Sequence, residues 1–433
     1  MTIASRTTDP LTEQHARDLD AQDPLGSFRD RFYVPPGMTY LDGNSLGLLS
    51  REAEQSVLNA LDSWKIQGIN GWLSADPPWF TLGEQLGARM AALVGAAPAS
   101  VVVTGGTTVN LHQLVGTFYR PVGQRRKIIA TALDFPSDVY ALQSQIRLRG
   151  GDPERDLVLV PSRDGRTIAE DDLIAAFTGE VALAILPSVL YRSGQLLDIP
   201  RLTSAAHNAG VLIGFDCAHS VGALPHRFDE WDIDFAVWCT YKHLNAGPGG
   251  VGALYVNPRH FGTVPALAGW WGYRKDRQFE MAHQWEGAEH AGAYQIGTAP
   301  LLSAAALWGS LAIFEDAGIE AIRQKSLAQT DYLMALIEEL GLCDEPYRYR
   351  IGTPREHGRR GGHVAIEHDE ASLISLALKE RGFIVDFRKP DVVRLAPIAL
   401  YTTCHELWRT AQALREVIDS GEHRKIEVAG LVT

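Results

Sequence analysis

The chain has 433 residues, of which 45% are hydrophobic and 21% charged, enough for two domains or one large domain with a smaller one packed on it. A formal net charge of −12 argues against nucleic acid or an anionic membrane surface as partner, because phosphate binding wants a basic face. No stretch approaches the ~20 apolar residues of a membrane span, and the polar N-terminus MTIASRTTDPLTEQHARDLDAQDPLG lacks the apolar centre of a secretory signal.

Cys217, Cys239, Cys343 and Cys404 are scattered without CxxC spacing, so no disulfide framework is expected and a cytoplasmic setting fits. From residue 100 onward, short apolar runs alternate with helical patterns. The runs are SVVVTGG (100–106), KIIATAL (127–133), VALAILPS (181–188), VLIGFDCA (211–218), DFAVWCT (234–240) and VGALYV (251–256). Such continuous runs indicate strands buried on both faces, hence a mostly parallel sheet. Between them, NLHQLVGTFYR (110–120), SDVYALQSQIRLR (137–149) and IPRLTSAAHNAG (199–210) read as covering helices, which gives an α/β class. A long Ala/Leu-rich helix follows at 301–318, then helical and strand-like segments in another order. We therefore expect an N-terminal segment over 1–50, a large domain over 51–310 and a small C-terminal domain over 311–433, with the ligand cleft at the carboxyl ends of the large-domain strands.

Four strand ends then draw attention. After SVVVT come Gly105-Gly106-Thr107-Thr108 and a helix, either an ordinary tight turn or a cradle of free N–H groups and hydroxyls for a phosphate. After KIIATAL come Asp134-Phe135-Pro136-Ser137-Asp138, where Ser137 or Asp138 is a helix cap, or the ring and carboxylate face a ligand. Asp216 closes the apolar run VLIGF, and Lys242 follows DFAVWCT before the break LNAGPGG. A buried Asp–Lys ion pair accounts for both residues; a zinc site built on Cys217 and His219 lacks further ligands, so no metal is expected. Together the four ends ask for an aromatic cation with a phosphate and an aldehyde, and pyridoxal 5′-phosphate fits: Lys242 for the aldehyde, Asp216 for the ring nitrogen, Thr107 and Thr108 for the phosphate.

With these residues in place the chain resembles kynureninase, a fold-type-I pyridoxal-phosphate family related to class V aminotransferases. The resemblance rests on YLDGNSLGL (40–48), TTVNLH (107–112), FYRP (118–121), DFPSD (134–138), SVLYRSGQ (188–195), DCAHSVGALP (216–225), DFAVWCTYKHLNAGPGG (234–250), GWWG (269–272) and VDFRKPDVVRLAPIALY (385–401). It implies a large domain with a mostly parallel sheet sandwiched by helices and a smaller α+β domain. It implies that Lys242 carries the cofactor and then acts as base, that Asp216 partners the ring nitrogen, and that Tyr241 moves protons at the β-carbon. Thr107, Thr108, Phe135, Pro136, Ser137, Asp138, Ser188, His219, Tyr241, Trp270 and Thr298 fall on cofactor positions, with Trp270 and Thr298 reaching in from the second subunit of a homodimer with a shared site. Arg394 falls on the position that grips the substrate α-carboxylate, and Asn44 and Trp72 on the substrate side. The activity implied is hydrolysis of L-kynurenine, or its 3-hydroxy derivative, to the anthranilate and L-alanine.

GINGW (68–72) and Gly297-Thr298 replace the aryl-pocket residues of members that favour 3-hydroxykynurenine, which points to the unsubstituted substrate. Trp64, Trp72 and Trp79 form either an aryl pocket or plain core packing. Glu289 and His290, in GAEHAGAYQ, have no assigned role. The rival reading is a cysteine desulfurase or aminotransferase, but Tyr241 stands where those have histidine, and Cys343 lacks the setting of a nucleophile.

Overall fold

The structure, a computed structural model, describes residues 11–426. The outermost parts of the expected N-terminal segment and C-terminal domain, 1–10 and 427–433, lie outside the described residues.

All six apolar runs are strands. The large sheet consists of β1 (Val101–Val103), β2 (Lys127–Thr131), β3 (Leu157–Val160), β4 (Val181–Pro187), β5 (Leu212–Asp216), β6 (Phe235–Cys239) and β7 (Gly252–Val256). Their order is β1-β7-β6-β5-β4-β2-β3, parallel throughout except for β7, which runs against both neighbours. Strand β3, LVLV, was not among the expected runs. It is four residues long on the sheet edge, with Leu159 exposed, so its pattern carries little burial signal.

The strands read as unbroken apolar runs because successive side chains enter different cores. Phe235 and Val237 join Leu111, Leu114 and Leu142, from helices Thr107–Phe118 and Pro136–Leu148. Ala236 and Trp238 point the other way, into a core with Leu86, Leu202 and Leu307. That second layer comprises helices Leu82–Val94, Ile199–Asn208 and Leu301–Ala317.

The small domain has a four-stranded antiparallel sheet of β8 (Arg350–Ile351), β9 (Val364–Glu367), β10 (Asp386–Arg388) and β11 (Val392–Leu395), ordered β10-β11-β9-β8. It packs with the second half of helix Ile319–Glu339 and with helix Cys404–Ser420. The boundary expected at 311 falls inside a helix: Leu311, Ile313 and Phe314 belong to the large-domain core, and the chain turns at Gly318, where two helices meet at 79°. Among the described residues no single helix is long and apolar enough to cross a membrane. Residues 39–40 pair in parallel with 383–384 and Ala16 packs into the small-domain core, while Leu25, Phe32 and Leu48 enter the large-domain core, so the N-terminal segment touches both domains.

Helix Leu301–Ala317 lies directly on helix Arg51–Gln67 because Gly309 has no side chain; a Cβ there would sit 2.0 Å from the Glu52 carbonyl oxygen. Gly309→Ala should therefore force the helices apart and cost about 1–3 kcal/mol in denaturant unfolding, whereas a neutral result would show that the crossing has slack.

Candidate active site

Strand direction places the site. β1, β2, β4, β5 and β6 all end on one edge, and residues following them line a single cleft: Thr107 and Thr108, Phe135, Ser137 and Asp138, Val189 and Tyr191, Asp216, Ala218 and His219, and Tyr241 with Lys242. A larger hollow elsewhere, beside Trp231, holds none of these residues.

Neither of the first two helix starts carries a side-chain cap. Helix Thr107–Phe118 starts with Gly106 as cap and no side-chain cap, which leaves its first N–H groups directed at the cleft. Helix Pro136–Leu148 likewise lacks a side-chain cap. Ser137 instead bonds the Thr108 hydroxyl at 2.8 Å, joining the two helix starts into one polar cradle. Phe135 presents an exposed ring edge-on to Tyr191, with centroids 5.3 Å apart, and lies 6.0 Å from Lys242 Nζ.

Asp138 turns to Asp216. Its carboxyl is held protonated well above the usual range by burial, by the charge of Asp216 and by their hydrogen bond. Asp216 also accepts the Ala218 N–H at 2.8 Å and stays half-buried at the cleft. No ion pair joins Asp216 to Lys242, so the simple Asp–Lys account of these residues fails. Lys242 Nζ instead meets His219 Nε2 at 3.0 Å. Burial, followed by the Lys242 and Arg394 charges, drives the His219 pKa well below its ordinary value, so a neutral imidazole accepts from the ammonium. His219 Nδ1 has no partner.

The sharp break after Lys242 has a steric reason. Residues 40–48 pass directly beneath it: Gly47 N–H donates to the Tyr241 carbonyl at 2.8 Å, and a Cβ at Gly47 would come within 2.4 Å of the Lys242 carbonyl. The chain leaves through Asn245 at φ 56° and Gly247 at φ 83°. Burial raises the Tyr241 phenol, so it is protonated across the ordinary pH range.

The same N-terminal passage carries Asn44 to the domain junction. Its amide is fully buried, with neither atom partnered. Arg394, on β11, sits opposite Asp386 on β10 and pairs with it; it also donates to the Tyr191 carbonyl at 2.7 Å and to Ser45 Oγ at 2.8 Å. Burial lowers its pKa to about 10. Among the described residues its Nε lacks a partner while its other nitrogens are engaged, so a ligand carboxylate would displace Tyr191 or Ser45. Burial, then the Asp386 charge, raises nearby Asp42 to about 6.

Some expected site residues stand elsewhere. Ser188 is fully buried, bonding Ser220 Oγ at 2.7 Å and the Asp216 carbonyl at 3.0 Å; it braces β5 from behind and does not line the cleft. Pro136 opens its helix and adds no polar contact. Trp270 and Thr298 are exposed and outside this cleft. Trp72 packs on Trp79 at 5.8 Å and Trp271 at 5.4 Å, also outside it, while Trp64 is exposed apart from them; the three tryptophans form no joint pocket. His290 caps a turn by accepting the Gly292 N–H at 3.0 Å, and Glu289 is exposed. Tyr191, Ser45 and Asp386 were missed, although all lie inside the quoted motifs. Their signal was position beside an assigned residue, which one sequence cannot convert into contact.

The cleft therefore offers a nucleophilic amine, a carboxylate sharing a proton, an uncapped helix start with two hydroxyls and a flat ring. These residues fit a phosphorylated pyridine aldehyde. Residues 322–414 match the family model described as kynureninase C-terminal domain. The chain is 55% identical over 415 residues to kynureninase of Geobacillus thermodenitrificans and 56% identical over 416 to that of Shouchella clausii, covering 96% of each chain in both cases. Among solved structures it is similar to an apo cysteine desulfurase from Thermococcus onnurineus, with TM-score 0.76 and 17% identity over 91% of this chain and 98% of that one. A C-DES variant with glycine covalently linked to its PLP cofactor gives TM-score 0.77 and 19% identity over 89% and 98%.

Behind the cleft, burial pushes Asp134 up to about 7 from 3.8, despite hydrogen bonds from Thr131. A carboxyl that is neutral when folded and ionised when unfolded contributes stability fully below the unfolded value and loses it as pH rises through the folded one. Asp134→Asn should therefore flatten the decline in unfolding free energy between about pH 4 and 7. Denaturant titrations across that window decide, and an unchanged slope would remove Asp134 as its source.

Proposed function

The chain belongs to the kynureninase family, and from that premise we propose that it hydrolyses L-kynurenine at the Cβ–Cγ bond to anthranilate and L-alanine, with pyridoxal 5′-phosphate on Lys242. The observation that carries the reading is the convergence of Lys242, Asp216 and the uncapped Thr107 helix on one cleft, beside a buried arginine from the other domain.

The bound cofactor supplies an electron sink conjugated to the substrate α-carbon. The chain's residues do the rest. Lys242 Nζ would hold the aldehyde carbon and is placed to take the proton from the substrate Cα. Its neighbour His219, kept neutral by burial, accepts the hydrogen bond of that amine at Nε2 and so orients it. Asp216 holds the ring N–H, and Asp138 keeps a shared proton there. The Thr107 helix start, Thr108 and Ser137 take the phosphate. Arg394 grips the α-carboxylate, with Asn44 donating beside it. Tyr241, kept protonated by burial, is placed to protonate Cβ as the acyl group leaves to water.

A homodimer completes the site in this reading. Trp270, Phe279, Met281, Ile66, Ile69 and Leu73 are exposed apolar residues that a partner surface would cover, and Trp270 and Thr298 are free to enter the partner's cleft. The free thiols Cys217 and Cys239, both buried, suit a cytoplasmic setting. A desulfurase reading finds no support at Cys343, whose thiol burial raises rather than lowers.

Incubation with L-kynurenine should release fluorescent anthranilate, and sulfide from cysteine without anthranilate would transfer the chain to the rival reaction. Lys242→Ala should lose the visible absorbance of bound cofactor and at least about 10²–10⁴-fold in kcat. Arg394→Lys should raise KM for kynurenine by about tenfold or more through loss of a charged fork, with kcat less affected. An unchanged KM would take the carboxylate away from Arg394.

A further inference from the structure

Away from the lysine cleft, a hollow of about 470 Å³ opens between the start of helix Ile199–Asn208, the turn 224–231, helix Ile319–Glu339 and the 358–359 loop. Its size is that of a small-molecule site. Leu197, Pro200, Leu224 and the half-buried Trp231 give it an apolar wall.

Among the described residues the lining cations Arg201 and Arg359 face a carboxylate and Arg323 does not, while Asp198 accepts the Arg201 N–H at 3.1 Å and makes no ion pair. The buried Glu170 accepts the Asp198 N–H at 3.0 Å and lies 3.3 Å from Arg201 and 4.0 Å from Arg359. Arg201 also pairs with Asp171 at 2.5 Å. Arg323 has no carboxylate in ion-pair reach among the described residues. It donates only to carbonyls, those of Gly361 at 3.2 Å, His357 at 2.7 Å and Arg360 at 2.8 Å. Burial and the neighbouring Arg360 charge press its pKa down to about 10. Its Nε, like the Trp231 indole N–H, makes no hydrogen bond among the described residues. A cation held against an apolar wall without a counter-ion favours an incoming anion.

We propose that this hollow is a second ligand site, for a small carboxylate on a flat apolar body, with Arg323 taking the carboxylate and Trp231 packing against the body. It is separate from the cleft of Lys242 and does not depend on the reaction assigned there.

Titration calorimetry of the cofactor-loaded protein with 2-naphthoate tests it, with 2-naphthylmethanol as the neutral counterpart. The acid should bind saturably and the alcohol about tenfold or more weaker, the value of a charged hydrogen bond. Arg323→Gln should weaken the acid by about tenfold and leave the alcohol unchanged. Arg359→Gln, at an exposed position, should weaken the acid about threefold. Arg394→Lys should have no effect. Equal affinity for acid and alcohol, absence of saturable binding, or loss of binding in Arg394→Lys alone would overturn the site.

Discussion

A protonated amine just beyond a fully buried strand must be met by something, and in this molecule the way Lys242 is met organises the cleft. Its close polar neighbour is an imidazole 3.0 Å away that burial keeps neutral. The nearby carboxylates are engaged with each other, Asp138 sharing its proton with Asp216. Had Lys242 and Asp216 closed on each other, the pair would have satisfied its own charges and left a ligand little to bind. Kept apart, they can face opposite ends of one ring.

The second constraint is the junction between domains. Residues 40–48 run under the Lys242 turn, and Arg394 reaches from the small domain onto the backbone of the loop carrying Tyr191. The substrate side is thus assembled from the N-terminal passage, a large-domain loop and a small-domain strand. Several polar atoms there have no partner, both amide atoms of Asn44 and Nε of Arg394 among them. Buried polar groups are ordinarily paired, so their concentration marks a place built around a ligand or ordered water.

The likeness to a cysteine desulfurase and to C-DES at 17–19% identity is one of fold. A common sheet presents the same edge to very different loops, and chemistry is set by what those loops carry. Here Cys239 is buried, its thiol directed toward the Ala218 carbonyl, and Cys343 lies away from the cleft.

The sequence alone determined the sheet and the identity of its functional ends. Unbroken apolar runs buried on both faces point to a covered, mostly parallel sheet, and parallel strands collect their ends on one edge, so Lys242, Asp216, Asp138 and Thr107 were expected to meet. Strand β3 escaped because an exposed edge strand leaves no such pattern. Only the tertiary structure decided which neighbour each group takes: histidine rather than aspartate for Lys242, Asp386 and Tyr191 for Arg394, β5 rather than the cleft for Ser188. The reason is physical. Strand direction is written in local periodicity, but a hydrogen-bond partner is chosen by competition within a few ångströms among residues hundreds of positions apart.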